Sequence, residues 1–307
     1  MNLRVLCVCL GALLILGPAA GLAQTLDESF AALKDAEAKK DVELVKKLSA
    51  QTHALATEEL AIEEPEAADM KKAWKERLAW ARDVDAFSEY ALYSLSLTAE
   101  PDVAIDLLQT LEKQNPKSRY LDEGGYTSYF AALTKLGKTS EITAVAEKGL
   151  ANLPNSVDLL LVLADTAMSK QQTGQALTYS QRLVAAMNKA TKPEGMSDAD
   201  WGRKRSLALG HGYYYIGMIQ AQRNAFFEVD RNLRAALPHI QGNNAMLGPA
   251  LFALGVANYQ LGRQTMNRKR VLEAADFSDK ASKIPGSHAS DAYRNAQAMR
   301  QEAAKMR

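Results

Sequence analysis

The chain has 307 residues, 47% of them hydrophobic and 24% charged, with 37 Lys and Arg against 36 Asp and Glu. Those fractions exclude a disordered or collagen-like chain. The charge balance gives no global electrostatic reason to bind nucleic acid or an anionic membrane surface.

Residues 1–23 have the pattern of a secretory signal peptide. Arg4 is the one basic residue before an unbroken apolar run, Val5 to Leu16. Gly17-Pro18 breaks that run, and Gly21-Leu22-Ala23 places small residues at the −3 and −1 positions. Cleavage is expected after Ala23, with Ala20 as the second choice. The competing reading is an uncleaved anchor, since 19 uncharged residues run from Val5 to Ala23. The Gly-Pro break and the short apolar run favour the signal. Both cysteines, Cys7 and Cys9, lie inside the apolar run. The processed chain would then have no disulfide, thiol nucleophile or thiolate metal site, in a compartment that permits disulfides. Periplasmic or secreted localisation follows as an expectation, and no later segment is apolar for long enough to span a membrane.

Residues 24–84 read as N-terminal helices: a short amphipathic pair over 26–57, turning at Lys40-Asp41, and a helix from Ala67 to Arg82 beyond the Glu63-Glu64-Pro65-Glu66 break. From residue 85 the chain repeats. The clearest unit runs from Glu123 to Asn155. Tyr126, Tyr129, Phe130 and Leu133 fall at helical spacing; Leu136-Gly137 closes that helix through a left-handed cap; a second helix carries Ala146, Gly149 and Leu150; and Pro154 ends the unit. Similar units occupy 85–118, 157–190, 210–241 and 248–281. At three positions per unit, where paired helices cross, eight of the fifteen residues are small: Ala104, Gly149, Ala164, Ala176, Gly217, Ala236, Gly255 and Ala274.

The frame is interrupted at 191–209, where a loop at Lys192-Pro193-Glu194-Gly195 precedes an N-cap at Ser197. The helix that carries Trp201 is expected to start at Asp198 and run into the 210–222 helix. In the last unit, Asn267-Arg268-Lys269-Arg270 stands where an apolar second helix should begin. Residues 282–307 supply a final helix from His288 to Met306, with Ala289, Ala292, Ala296 and Met299 on its apolar face, which reads as a cap. No stretch alternates with the two-residue period of a strand, so the fold class expected is all-α.

This pattern resembles the tetratricopeptide repeat (TPR), a pair of antiparallel helices of 34 residues. The resemblance covers residues 85–190 and 210–281. It implies a right-handed helix-turn-helix solenoid with a C-terminal capping helix, and a binding scaffold rather than an enzyme.

Catalytic motifs are missing from the sequence. There is no phosphate-binding G-x-x-x-x-G-K-[ST] loop and no H-E-x-x-H, and Gly210-His211-Gly212 lacks both the third glycine and a preceding strand. The four histidines fall in four different segments. No cofactor and no metal are expected. Carboxylates brought together only by folding leave one enzyme reading open, a secreted all-α hydrolase of the glycosidase type. The basic runs Arg203-Lys204-Arg205 and Arg268-Lys269-Arg270 are expected to be solvated helix faces.

In the TPR family the first helices of the pairs line a concave groove. By that resemblance the groove-facing residues include Glu89 and Tyr93, then Asp165. His211, Tyr214, Met218 and Ala221 follow, and then Pro249, Phe252, Val256 and Tyr259. The chaperone-binding members hold a C-terminal carboxylate with a Lys and an Asn at two of these positions. Here the pairs are Glu89/Tyr93, Thr127/Ala131, Leu161/Asp165, Tyr214/Met218 and Phe252/Val256, so that ligand class is excluded. The function expected is protein–protein interaction, with a protein or peptide partner in the envelope or outside the cell. Aromatic and methionine side chains in the second half of the groove suit an apolar, extended segment. The alternative for Tyr214 and Phe252 is burial in the core.

Overall fold

A computed structural model describes residues 25–193 and 195–306. The expected signal peptide and its cleavage site lie outside the described residues. Thirteen α-helices and two short 3-10 or π segments account for the regular structure described, and no strand is present among the described residues. No helix among them is long and apolar enough to cross a membrane.

The chain divides into two compact units between Leu92 and Tyr93, inside helix α3 (Met70–Ser96). In the first unit, α1 (Leu26–Ala38) and α2 (Val42–Leu60) form a hairpin. Thr25 opens α1 with a capping box: its hydroxyl accepts from Glu28 N at 3.2 Å, and the Glu28 carboxylate accepts from Thr25 N at 3.3 Å. Leu26, Ala56, Ala81 and Val84 are buried together, with Phe30 edge-on to Trp80 at 5.8 Å. Helix α3 does not stop at Arg82 as expected but runs on to Ser96. No Gly or Pro interrupts it, and Leu78, Ala81, Val84, Ala91, Leu92 and Leu95 keep a buried face at helical spacing through the expected boundary.

The second unit contains α4 (Pro101–Gln114), α5 (Tyr126–Lys135), α6 (Ile142–Asn152), α7 (Val157–Ser169), α8 (Thr173–Lys189), α9 (Asp198–Gln222), α10 (Phe226–Ile240), α11 (Asn244–Gln264), α12 (Arg268–Ser282) and α13 (Ala289–Lys305). From α4 onward each helix packs on the next, and α5–α7, α7–α9, α9–α11 and α11–α13 pack as well. Paired helices therefore repeat along the chain.

The turns repeat too. Gly137, Gln171, Asn224 and Met266 each sit at positive φ, between 50° and 73°, at the bend of their hairpin. In each case the next residue's N–H bonds back to a carbonyl five residues earlier, as in Lys138 N to Leu133 O and Asn267 N to Gly262 O, both 2.8 Å. This is the Schellman closure, which satisfies carbonyls that a helix end leaves open. Lys40 makes the same turn between α1 and α2. Gly137 and Gln171 are 34 residues apart, the spacing expected from the repeat.

All eight small residues singled out in the sequence are buried. A Cβ on Gly217 would lie 2.4 Å from Leu233, and one on Gly149 would lie 2.6 Å from the Tyr126 ring. The helices of α9–α10 and α5–α6 therefore touch where a side chain would separate them.

Helix α9 starts at Asp198, with Ser197 accepting from Asp200 N at 3.1 Å. The C-terminal helix buries Ala292, Ala296, Met299 and Ala303. The basic start of the last pair does not prevent a second helix: α12 forms with Asn267 as its N-cap and Val271, Ala274, Ala275, Phe277, Ser278 and Ala281 buried. Of the two basic runs, Arg203, Arg205, Arg268 and Lys269 are exposed as expected. Lys204 and Arg270 correct that reading. Lys204 pairs with Asp158 at 2.9 Å, and Arg270 with Asp230 at 2.9 Å, each taking an acceptor from another helix.

Candidate functional site

Helices α9 and α11, first members of adjacent pairs, flank an apolar cavity of about 400 Å³. Met218 and Ala221 face it from α9, and Pro249, Phe252 and Val256 from α11. These are five of the eight groove positions expected on the two helices. Phe226 and Val229 of α10 contribute to the floor, and Ser287 and His288 stand at the end where α13 begins. The lining holds no Asp, Glu, Lys or Arg. His288 lies 6.4 Å from Phe252 between ring centroids, and its Nε2 is buried with no hydrogen-bond partner among the described residues.

The remaining expected positions have different surroundings. Tyr214 is half-buried and packs with Met218 and Phe252 against the core of Leu233, Leu251 and Leu254. Its phenol titrates above the ordinary tyrosine range because burial disfavours the phenolate. Tyr214 and Phe252 thus serve the core on one side, and Phe252 lines the cavity on the other. Tyr259 does not line this cavity: its hydroxyl donates to Glu302 of α13, and its ring packs beside Val271 and Met299. Glu89 corrects a further expectation. It is only 6% exposed, on the buried side of α3, and is not presented to a groove. Tyr93 borders a second cavity, of about 530 Å³, where Thr127 and Phe130 of α5, Leu161 of α7 and Leu207 of α9 meet. In that cavity Asp158 accepts from Lys204 at 2.9 Å and from Thr127 at 3.1 Å.

Folding brings two of the expected residues together. His211 Nδ1 lies 2.9 Å from Asp165 Oδ1, and Tyr215 OH donates to the same oxygen at 2.8 Å. A carboxylate only accepts, so the imidazole hydrogen is on Nδ1 in this contact. Burial, and then the Asp165 charge, push the Tyr215 phenol far above its ordinary range, so it stays a donor. Tyr215 was missed from sequence because it lies one residue off the groove frame, next to Tyr214. His53 and Asp85 of the first unit make a similar contact at 2.6 Å. No group of three or more His, Cys, Asp or Glu suited to a metal occurs among the described residues.

No protein-family model matches the chain, and no curated protein matches it in sequence.

Proposed function

We propose that this chain is an exported tetratricopeptide-like solenoid that binds a protein or peptide partner, without catalysis, in the groove between α9 and α11. The observation that carries this reading is the apolar cavity lined by residues at groove positions of two successive first helices. Its volume suits one or two bulky apolar side chains of an extended segment. The 34-residue interval between Gly137 and Gln171, the shared turn and the small residues at the crossings support the repeat family. A paired-carboxylate hydrolase draws no support from this groove, whose lining carries no Asp or Glu.

Two measurements test the reading. Val256→Trp fills the cavity from a half-buried position on α11. It is expected to lower capture of the partner from envelope extract by tenfold or more, about 1.4 kcal/mol. Phe227→Ser, at an exposed position of α10, serves as the control. Equal capture by both variants would place the partner elsewhere. For export, N-terminal sequencing of protein recovered from cells is expected to begin at Gln24; Met1 retained on a membrane-bound product would support the anchor.

A further inference from the structure

We infer that the bound segment carries a basic side chain, seated on Asp165, about two residues from the apolar side chain that fills the α9–α11 cavity. This rests on the groove reading above and adds the chemistry of the partner.

Asp165 stands at a groove position of α7, with its side chain 41% exposed. Both of its hydrogen bonds, from His211 and Tyr215, go to Oδ1. Oδ2 has no partner among the described residues. The other acidic groove residue of α7, Asp158, is matched by Lys204. Asp165 has no Lys or Arg against it among the described residues, only a histidine. A guanidinium or ammonium from outside would complete its hydrogen bonding and gain a charge-assisted contact.

The spacing follows from α9. Asp165 meets α9 from the α7 side and the cavity opens toward α11, so the two seats lie roughly one helix spacing apart, about 8–10 Å, with Tyr215 and Met218 three residues or about 4.5 Å apart along α9. An extended chain advances about 3.3 Å per residue, and side chains two apart share a face. A long basic side chain at i±2 from the apolar anchor therefore reaches the carboxylate. Aromatic rings flank the seat: His211 lies edge-on to Tyr215 at 5.5 Å, and Tyr214 lies 5.8 Å from Tyr215. Such surroundings suit an arginine. The cavity lining holds no Asp, Glu, Lys or Arg, which leaves Asp165 to set the sign of the preference.

The test uses the purified full chain and synthetic nonapeptides, acetylated and amidated, in a Gly/Ser background. Each carries a central Phe or Leu, with Arg, Gln or Glu two residues to one side. Binding is read by fluorescence polarisation at low and high salt. Arg peptides are expected to bind at least tenfold more tightly than their Gln counterparts, with the difference shrinking as salt rises. Asp165→Asn keeps an acceptor for Tyr215 and should erase the difference between Arg and Gln. Asp165→Lys should reverse the order in favour of Glu. Circular dichroism checks that both variants are folded.

Equal affinity for Arg and Gln peptides, with binding still lost in Val256→Trp, overturns the basic seat and leaves the groove reading standing. A preference for Arg that survives Asp165→Asn overturns it as well. Peptides that fail to bind, or that bind regardless of Val256→Trp, overturn the groove reading and this inference with it.

Discussion

Gly255→Leu is expected to destabilise the second unit by about 3 kcal/mol, at the upper end of the range for overpacking a close contact. A Cβ at Gly255 would lie 2.3 Å from Ser278 Oγ, 3.2 Å from Ala274 O and 3.3 Å from Ser278 N. Two of these three are backbone atoms of α12, so no rotamer change relieves the clash; the helix itself must move. The neighbours on that face, Ala274, Ala275 and Ser278, are fully buried, which leaves no slack to absorb the shift. For a unit of this size the melting temperature should fall by roughly 6–12 °C. Gly202→Leu provides the contrast. Gly202 is exposed in α9 and a Cβ there meets nothing within 4 Å, so exchange for a better helix former should raise stability by roughly 0.5–1 kcal/mol. Thermal circular dichroism of the two variants should therefore move in opposite directions, and parallel shifts would mean that α11 and α12 do not meet at Gly255.

Asp230→Ala is expected to cost about 2–3 kcal/mol, less than the ~3–5 kcal/mol of a fully buried pair, because its two arginines are 37% and 27% exposed and Arg234 keeps Glu273 at 2.9 Å. Asp230 lies on α10 with its side chain 17% exposed, and accepts from Arg234 Nε at 2.6 Å, Arg270 Nη2 at 2.9 Å and Asn258 Nδ2 at 2.6 Å. Asn258 is fully buried, and its carbonyl oxygen accepts from both arginines, at 3.3 Å and 3.0 Å. The variant would leave two cations and a buried amide short of an acceptor across α10, α11 and α12. Asp35→Ala is the control: its pair with Lys39 is exposed on both sides, at 62% and 66%, and should cost less than about 1 kcal/mol. Urea denaturation distinguishes the two, and repetition in 1 M salt should leave part of the Asp230 effect in place because its hydrogen bond from the buried Asn258 is not screened.

Most of the helical hairpins were legible because their signals are local. Ser197 with Asp200 announced the start of α9, the apolar spacing of Tyr126, Tyr129 and Phe130 announced α5, and small residues marked the crossings. Two features were hidden for a shared reason. Arg268-Lys269-Arg270 looked too polar to open a helix, yet Arg270 is satisfied by Asp230, 40 residues upstream. The Asp165 contact likewise joins residues 46 and 50 positions apart. Sequence reading supplies one side of such a pair without its partner. Gly137 and the Lys40-Asp41 turn were readable, but three turns were illegible for another reason: their left-handed positions hold Gln171, Asn224 and Met266, which share no signature, because the packed hairpin rather than the residue enforces the conformation. The groove positions on α9 and α11 came through in part. Helical periodicity chose the face, but whether Tyr259 met solvent or α13 depended on Glu302, a residue on another helix.

Within residues 93–306, substantial packing between α-helices joins only elements one or two places apart along the chain. Such an arrangement has low contact order, and no pairing must wait for a distant segment to arrive. Each hairpin can collapse as soon as its own two helices are available, with the preceding hairpin as its template. Assembly can then advance progressively in step with the emergence of the chain, and the last face to be covered is that of α12, which stays open until α13 docks.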